Sequence, residues 1–155
     1  MTAITTRPVR ETRENVAAAA APGPHVAAAA APGDSLLRFA LRADATLCGA
    51  LGLLVAMAAD PLSLLSGLSP TSEWIAGAAL VVYGVVLYAA AGIADIRRVG
   101  VGVLAGNVAF AVLVAVVLLA GWLPLTALGV VATITFTAVT LGFAYAQYLG
   151  VRRLA

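Results

Sequence analysis

Apolar residues along this chain run in four long, almost uninterrupted stretches, unlike the alternating or striped patterns of a soluble domain. The stretches cover about residues 36–59, 72–94, 99–120 and 125–149. Each is near the roughly 20 residues that an α-helix needs to cross about 30 Å of hydrocarbon. The pattern therefore predicts an all-α fold, a bundle of four transmembrane helices within residues 35–153.

Capping and helix-breaking residues mark where the predicted spans begin and end. Proline cannot continue a helix, and Ser or Asp caps the first turn by accepting a backbone hydrogen bond. The expected boundaries are Asp34 or Ser35, Asp60-Pro61, Ser69-Pro70 and a tight turn at residues 121–124. Residues 62–68 are too few to cross, so we expect a half-turn or short helix in the outer interface.

An alanine-rich repeat fills the start of the chain. The segment VAAAAAPG at residues 16–23 recurs at residues 26–33, and Pro-Gly breaks each alanine block. Such short blocks fall below the roughly 12 to 15 residues that an isolated helix needs in water. Residues 1–34 are therefore predicted to be a disordered, low-complexity cytoplasmic tail. The alternative is a lipid-docking arm carrying Arg7, Arg10 and Arg13, which the neighbouring Glu11 and Glu14 weaken.

Composition favours the same class of protein. Hydrophobic residues make up 63% of the chain, and the mean hydropathy is +1.04. Roughly half the residues of a soluble domain are apolar, so an integral membrane protein is favoured. The chain has no Lys, and its arginines are scattered singly or in pairs, which excludes the clustered basic face of a nucleic-acid-binding protein. A single cysteine, Cys48, excludes an intrachain disulfide.

The arginines also predict the orientation of the bundle. They precede the first span or lie at its start, lie between the second and third spans, or end the chain, whereas residues 60–73 and 121–124 contain none. By the positive-inside rule both termini are then cytoplasmic. Trp74 and Trp122 fall at the predicted outer interface, and Tyr145 and Tyr148 at the inner one, as in aromatic belts. The predicted location is the cytoplasmic (inner) membrane, which the chain crosses several times.

Four short motifs resemble, in their order, those of small four-helix integral membrane proteins common in high-GC actinobacteria. They are LRADATLCGALGLL, PLSLLSGLS, GWLPLTALG and FAYAQYLGVRR, and the resemblance covers roughly residues 36–153. It implies the four-helix fold and the membrane location. It implies no site residue, because that family has no assigned activity.

Small residues recur at helical spacing in the first and third spans. Seams of this kind let helices approach closely, which is the main source of helix association in lipid. We expect the seams to pack inside the bundle, with a homodimer interface as the alternative. The seam residues are Ala45, Gly49, Gly52, Ala56 and Ala59 in the first span, and Gly102 and Gly106 in the third.

A polar stripe follows the fourth span. Its threonine hydroxyls can bond to carbonyls of their own helix, which costs little, and the alternative is the lining of a small pathway. Asn107 is the strong polar group within the third span, and we expect it to hydrogen-bond between helices. The stripe consists of Thr133, Thr137, Thr140, Ala144 and Gln147.

Asp44 is the acidic residue predicted to lie within a span. A rise of about 1.5 Å per residue through a core of about 30 Å places it about 6 Å inside the inner edge. Gln147 has a similar predicted depth, and the first-span seam continues to Arg42 at a basic inner mouth. The candidate polar or ion-pair site is therefore Asp44, Asn107, Gln147 and Arg42. An ion pair of Asp44 with Arg97, Arg98, Arg152 or Arg153 is favoured over a protonatable or cation-binding carboxylate.

Groups needed for catalysis or metal binding are missing from the predicted spans. The one histidine, His25, lies in the tail, and Asp60, Glu73 and Asp95 lie at span ends. Metal sites and acid–base pairs need such groups to converge. Cys48 is expected to be a small apolar filler. We therefore expect no enzyme activity, no metal site and no cofactor.

Two classes of function remain. The first is a non-enzymatic protein that acts within the lipid bilayer by helix association, as a homo-oligomer or with a membrane protein partner. The second is a subunit of a small oligomeric transporter or channel that uses Asp44. A small dual-topology exporter is disfavoured, because such proteins need a weak arginine bias. If Asp44, Asn107 and the threonine stripe converge on one cavity, transport is favoured. If they point to separate neighbours, helix association is favoured.

Overall fold

The computed structural model of the protein describes residues 32–154, with side chains from residue 34. In that range the chain forms five helices and no strand. They are α1 (Pro32–Met57), α2 (Ala59–Ser66), α3 (Pro70–Ala90), α4 (Ile96–Ala120) and α5 (Ala127–Arg152). All but α2 are long and apolar enough to cross a membrane, which confirms the predicted all-α fold and agrees with four spans by length and composition. The predicted tail lies outside the described residues up to residue 31.

The start of α1 differs from the prediction. The helix begins at Pro32, so neither Asp34 nor Ser35 is its cap, and residues 32–34 belong to the helix. Proline is well suited to a first helical position because its missing N–H has no partner there. Asp34 instead lies in the first turn, where its Oδ2 is 3.1 Å from Nε of Arg38.

Side-chain caps define the starts of the other long helices. Ser69 accepts a hydrogen bond from the Ser72 amide at 3.1 Å, as predicted for the Ser69-Pro70 start of α3. Asp95 accepts from the Arg98 amide at 3.3 Å, and Thr126 accepts from the Gly129 amide at 3.1 Å. These two caps place the starts of α4 and α5 at Ile96 and Ala127, a few residues from the predicted positions.

The segment that follows α1 forms a short helix, one of the two structures expected for it. Pro61 has no N–H to donate to the carbonyl of Met57, where α1 ends. The chain restarts as α2, in whose first turn a proline is tolerated, and ends it at Gly67 with a positive φ of 87°. The Thr126 amide donates to the Ser66 carbonyl at 2.8 Å, which ties the end of α2 to the start of α5.

The long helices contact one another unequally. Helix α1 packs most extensively on α3, and it also contacts α5 and, less, α4. Helices α4 and α5 form the second large contact, whereas α3 and α4 barely touch. Helix α1 is therefore the central element, and one side of the bundle stays open between α3 and α4.

The apolar core lies at the end of the bundle where α1 begins and α5 ends. Leu37 is fully buried there, and β-carbons added at Gly100 and Gly150 would lie 2.8 and 2.9 Å from its side chain. The two glycines let α4 and α5 close around this leucine. The core cluster consists of Leu37, Leu41, Ala45, Leu87, Ala91 and Ile96.

Candidate functional site

A cluster of polar side chains joins three of the long helices beside this core. Asp44 of α1, Asn107 of α4 and Gln147 of α5 form it, and we call these three residues the polar cluster. Gln147 Nε2 donates to Asp44 Oδ2 at 2.9 Å, and Asn107 Nδ2 donates to the same oxygen at 3.4 Å. Asn107 Nδ2 also donates to Gln147 Oε1 at 3.2 Å. The structure thus brings together three of the four predicted site residues.

Two further side chains complete the hydrogen bonding of the polar cluster. The Tyr83 hydroxyl, on α3, donates to Asn107 Oδ1 at 3.2 Å. The thiol of Cys48, one turn along α1 from Asp44, donates to Asp44 Oδ1 at 3.5 Å. Cys48 is therefore more than the apolar filler that its isolation suggested. All four long helices contribute a side chain to the site.

The polar cluster is almost completely buried, and its partners are neutral. The exposed fractions of Asp44, Asn107 and Gln147 are 2%, 4% and 0%. The predicted ion pair of Asp44 with an arginine is wrong, because amides and a thiol occupy the positions around its carboxylate. The four arginines proposed for that pair, Arg97, Arg98, Arg152 and Arg153, are exposed at helix ends.

Arg42 lies apart from the polar cluster. Its side chain is exposed, and its guanidinium carbon is 5.9 Å from the centre of the Tyr88 ring. One helical turn earlier, Arg38 Nη1 donates to the Ala91 carbonyl at 2.7 Å, at the end of α3. The basic residues at the start of α1 therefore bind helix ends and aromatic rings rather than Asp44.

A cavity of about 530 Å³ adjoins the polar cluster. Its polar lining includes Asp44, Asn107, Thr140 and Tyr83, and mainly small or aromatic residues, with Leu80, form the rest of the wall. The rings of Phe110 and Phe136 meet edge to face with centres 5.9 Å apart. The lining residues are Asp44, Cys48, Ala76, Ala79, Leu80, Tyr83, Gly106, Asn107, Phe110, Phe136 and Thr140.

The cavity opens sideways between α3 and α4. These helices barely touch, and Ala79 on one and Gly106 on the other are exposed residues of the cavity wall. The Tyr83 hydroxyl reaches across the gap to Asn107. This hydroxyl therefore lies at the gap, beside the buried polar cluster.

The threonine stripe divides into two groups. The hydroxyls of Thr133 and Thr137 donate to Gly129 and Thr133 carbonyls at 2.8 Å, and Thr140 donates to the Phe136 carbonyl at 3.0 Å. The expected bonding of these threonines to their own helix is confirmed. Of the three, Thr140 also lines the cavity, so the pathway alternative is supported at that position alone.

The first-span seam packs inside the bundle at Ala45 and Gly52, as expected, whereas an added β-carbon at Gly49 would meet nothing within 4 Å. A β-carbon at Gly52 would lie 2.6 Å from the Gly77 carbonyl oxygen, and one at Gly84 would lie 2.7 Å from the Ala45 carbonyl oxygen. The partner glycines on α3, Gly77 and Gly84, were not singled out from the sequence. Their separation of seven residues, two helical turns, is the signal that marks them.

The third-span seam does not pack inside the bundle. An added β-carbon at Gly102 or Gly106 would meet nothing within 4 Å. The expectation of internal packing is therefore wrong for these two glycines. Their helix turns most of its surface outward. Of the most apolar 18 residues in α4, 6% are buried, against 33% for the corresponding residues of α1.

The site offers one carboxylate rather than a set of metal ligands. Within residues 32–154, no three His, Cys, Asp or Glu side chains converge on a point that would hold a metal ion. Asp44 Oδ2 accepts two amide hydrogen bonds, and Oδ1 accepts a single weak one from sulfur. Oδ1 is therefore the oxygen with capacity for a proton or a cation. No protein-family model, curated protein or solved structure matches the chain.

Proposed function

We propose that this protein is a non-enzymatic membrane transport subunit that takes up a proton or a cation at Asp44. The supporting observation is that Asp44, Asn107 and Thr140 line one cavity that opens between α3 and α4. In this proposal the polar cluster is the binding site, and the gap between α3 and α4 is the entrance.

The charge of Asp44 is the physical basis of this role. A carboxylate inside the hydrocarbon is costly unless it is paired, and such residues in spans mark ion or substrate pathways. Gln147 and Asn107 hold Oδ2 in place but bring no positive charge. A proton or an entering cation on Oδ1 restores neutrality, and exchange of one for the other keeps the site neutral throughout.

The proposal includes a location and an orientation. The protein lies in the inner membrane with both termini in the cytoplasm, and the arginine distribution along the chain supports this topology. The resemblance to small four-helix membrane proteins agrees with that location. Because four spans are few for a monomeric transporter, the working unit is an oligomer.

A displacement-current measurement tests the proposal. Proteoliposomes are adsorbed to a solid-supported membrane and given a rapid pH jump, so that charge moving onto a carboxylate inside the membrane produces a transient current. Wild type and Asp60→Asn, which alters an exposed carboxylate on α2, are expected to give the current, and Asp44→Asn to lose it. A wild-type signal no larger than that of protein-free vesicles, or one unchanged in Asp44→Asn, removes the transport proposal.

Helix association is the second candidate, favoured by the outward face of α4. Gly102 and Gly106 lie four residues apart with open space beside both, the pattern of many helix pairs in membranes. In this candidate two copies of the chain meet along α4. Mass measurement in mild detergent is expected to give a dimer that Gly102→Leu converts to a folded monomer. A wild-type monomer, or a dimer that survives Gly102→Leu, contradicts it.

A further inference from the structure

We propose that the ligand of the cavity is an amphiphilic ammonium ion that carries at least one N–H bond and enters from the lipid between α3 and α4. This inference rests on the proposed function and specifies its substrate class. It follows from which hydrogen-bond donors and acceptors of the cavity wall are already used within the protein and which are unused.

The donors of the cavity wall are already used within the protein. The Asn107 amide nitrogen donates to both Asp44 Oδ2 and Gln147 Oε1. The Tyr83 hydroxyl donates to Asn107 Oδ1, and the Thr140 hydroxyl donates to the Phe136 carbonyl. The Cys48 thiol donates to Asp44 Oδ1. A carboxylate or phosphate in the cavity would therefore find no free side-chain donor.

The same side chains still have hydrogen-bond acceptors that are unused. Hydroxyl oxygens have two lone pairs each, and the oxygens of Tyr83 and Thr140 act only as donors in the bonds just described. Asp44 Oδ1 receives a single sulfur contact at 3.5 Å. A ligand that satisfies this set brings donors and a positive charge, which is the chemistry of a protonated amine.

The remainder of the wall suits an apolar body. Ala76, Ala79 and Leu80 on α3 face Phe110 and Phe136 across a volume of about 530 Å³, within the range typical of small-molecule sites. Aromatic faces also attract a cation. An ammonium head at Asp44 with an aromatic or alkyl body along these residues is complementary to the cavity in both charge and polarity.

The route follows from the packing of the bundle. The contact between α1 and α3 is closed by glycine backbones in van der Waals contact, so no ligand passes there. The gap between α3 and α4 is bridged by the Tyr83 hydroxyl. An amphiphilic amine dissolved in the bilayer therefore reaches Asp44 by displacing one side-chain hydrogen bond.

Matched probes test the ligand class. The full chain is placed in lipid nanodiscs at pH 7 and titrated calorimetrically with 2-naphthylmethylamine, its N,N,N-trimethyl analogue and 2-naphthylacetate, and the heat from empty nanodiscs is subtracted. The primary ammonium is expected to bind about tenfold more tightly than the quaternary one, because hydrogen bonds to charged groups are lost on methylation. The carboxylate is expected to show no saturable binding.

Matched variants test the site. Asp44→Asn is expected to weaken 2-naphthylmethylamine binding by about tenfold or more, and Thr140→Val by a few-fold, because each removes an acceptor from the cavity wall. Thr137→Val is the control, since its hydroxyl makes the same bond to its own helix but does not line the cavity. Unchanged affinity in both Asp44→Asn and Thr140→Val overturns the assignment.

The outcomes separate this inference from the transport proposal. Equal affinity for the primary and quaternary ions, preference for the carboxylate, or no saturable binding of any probe overturns the ligand class. In each of these cases an Asp44-dependent displacement current would leave the transport role standing. Loss of that current with amine binding intact would contradict transport and leave a binding protein of the proposed specificity.

Discussion

Helix α3 has two faces that show how the same small residues can close one contact and leave another open. On the side facing α1, Gly77 and Gly84 bring backbone against backbone, and an added β-carbon would lie 2.5 to 2.7 Å from the nearest atom. On the side facing α4, Ala76 and Ala79 line an open cavity, and a single tyrosine hydroxyl crosses the gap. In lipid, where apolar surface gives little driving force between helices, close backbone approach distinguishes a packed contact from a groove.

The comparison also distinguishes the polar groups that cap helices from those that surround Asp44. Polar groups at the closed contacts and helix ends act as caps, as Ser69, Asp95 and Thr126 do. The polar groups at the open side converge on Asp44, whose carboxylate has no basic partner among residues 34–154. In the proposed function, the open side is where a ligand supplies the positive charge that the hydrogen-bond partners of Asp44 do not bring.

The largest expected effect comes from overpacking the closed contact. Gly84→Leu places a side chain against the Ala45 carbonyl and Gly49 backbone, so unfolding in SDS should require about 3 kcal/mol less free energy, or the protein should fail to fold. Gly142→Leu is the matched control, because the same change on α5 meets open space. SDS titration followed by circular dichroism measures both, and equal midpoints would contradict the assignment of the closed contact.

A smaller effect is expected from the polar cluster. Gln147→Leu removes the 2.9 Å hydrogen bond to Asp44 Oδ2 and leaves a buried carboxylate short of a donor, which should cost about 1 to 2 kcal/mol. Thr137→Val loses a hydroxyl that bonds only to its own helix, so we expect a cost under about 0.5 kcal/mol. The same titration compares them. The account is wrong if the threonine change costs more than the glutamine change.

The smallest effect on stability is expected at the open side. Tyr83→Phe removes the hydroxyl that joins α3 to Asn107, at a cost under about 1 kcal/mol, because the ring itself remains half-exposed. Its main consequence should be kinetic: faster release of 2-naphthylmethylamine from nanodiscs in stopped-flow displacement. A release rate equal to that of wild type would show that Tyr83 does not obstruct the gap.

The sequence predicts the four spans well because long apolar runs have one stable solution in a membrane. It also predicts that Asp44 and Gln147 meet if the first and fourth helices are neighbours, which they are. It fails for the face of Gly102 and Gly106, since lipid and protein interior are equally apolar and the pattern cannot tell them apart. The same ambiguity hid Tyr83 and Phe110 among the apolar positions that form the cavity wall.

The predicted ion pair of Asp44 failed for a related reason. Depth counting places residues along the membrane normal but not around the helix axis, so arginines at a suitable depth could not be excluded as partners. In the folded chain, Asn107 and Gln147 donate hydrogen bonds to the Asp44 carboxylate, and those arginines are exposed at helix ends. The side chains that surround a buried group depend on helix rotation, which the apolar pattern of a membrane span leaves open.

The most direct test of the account is whether Asp44 can be reached from the lipid phase. Wild-type protein in vesicles is treated with dicyclohexylcarbodiimide, a lipid-soluble reagent that adds to protonated carboxyl groups, and the modified residues are identified by mass spectrometry of peptides. The account predicts a stable adduct on Asp44 that is absent from the corresponding peptide of Asp44→Asn. Adducts confined to carboxylates at helix ends, such as Asp60 and Asp95, with Asp44 unmodified, would contradict it.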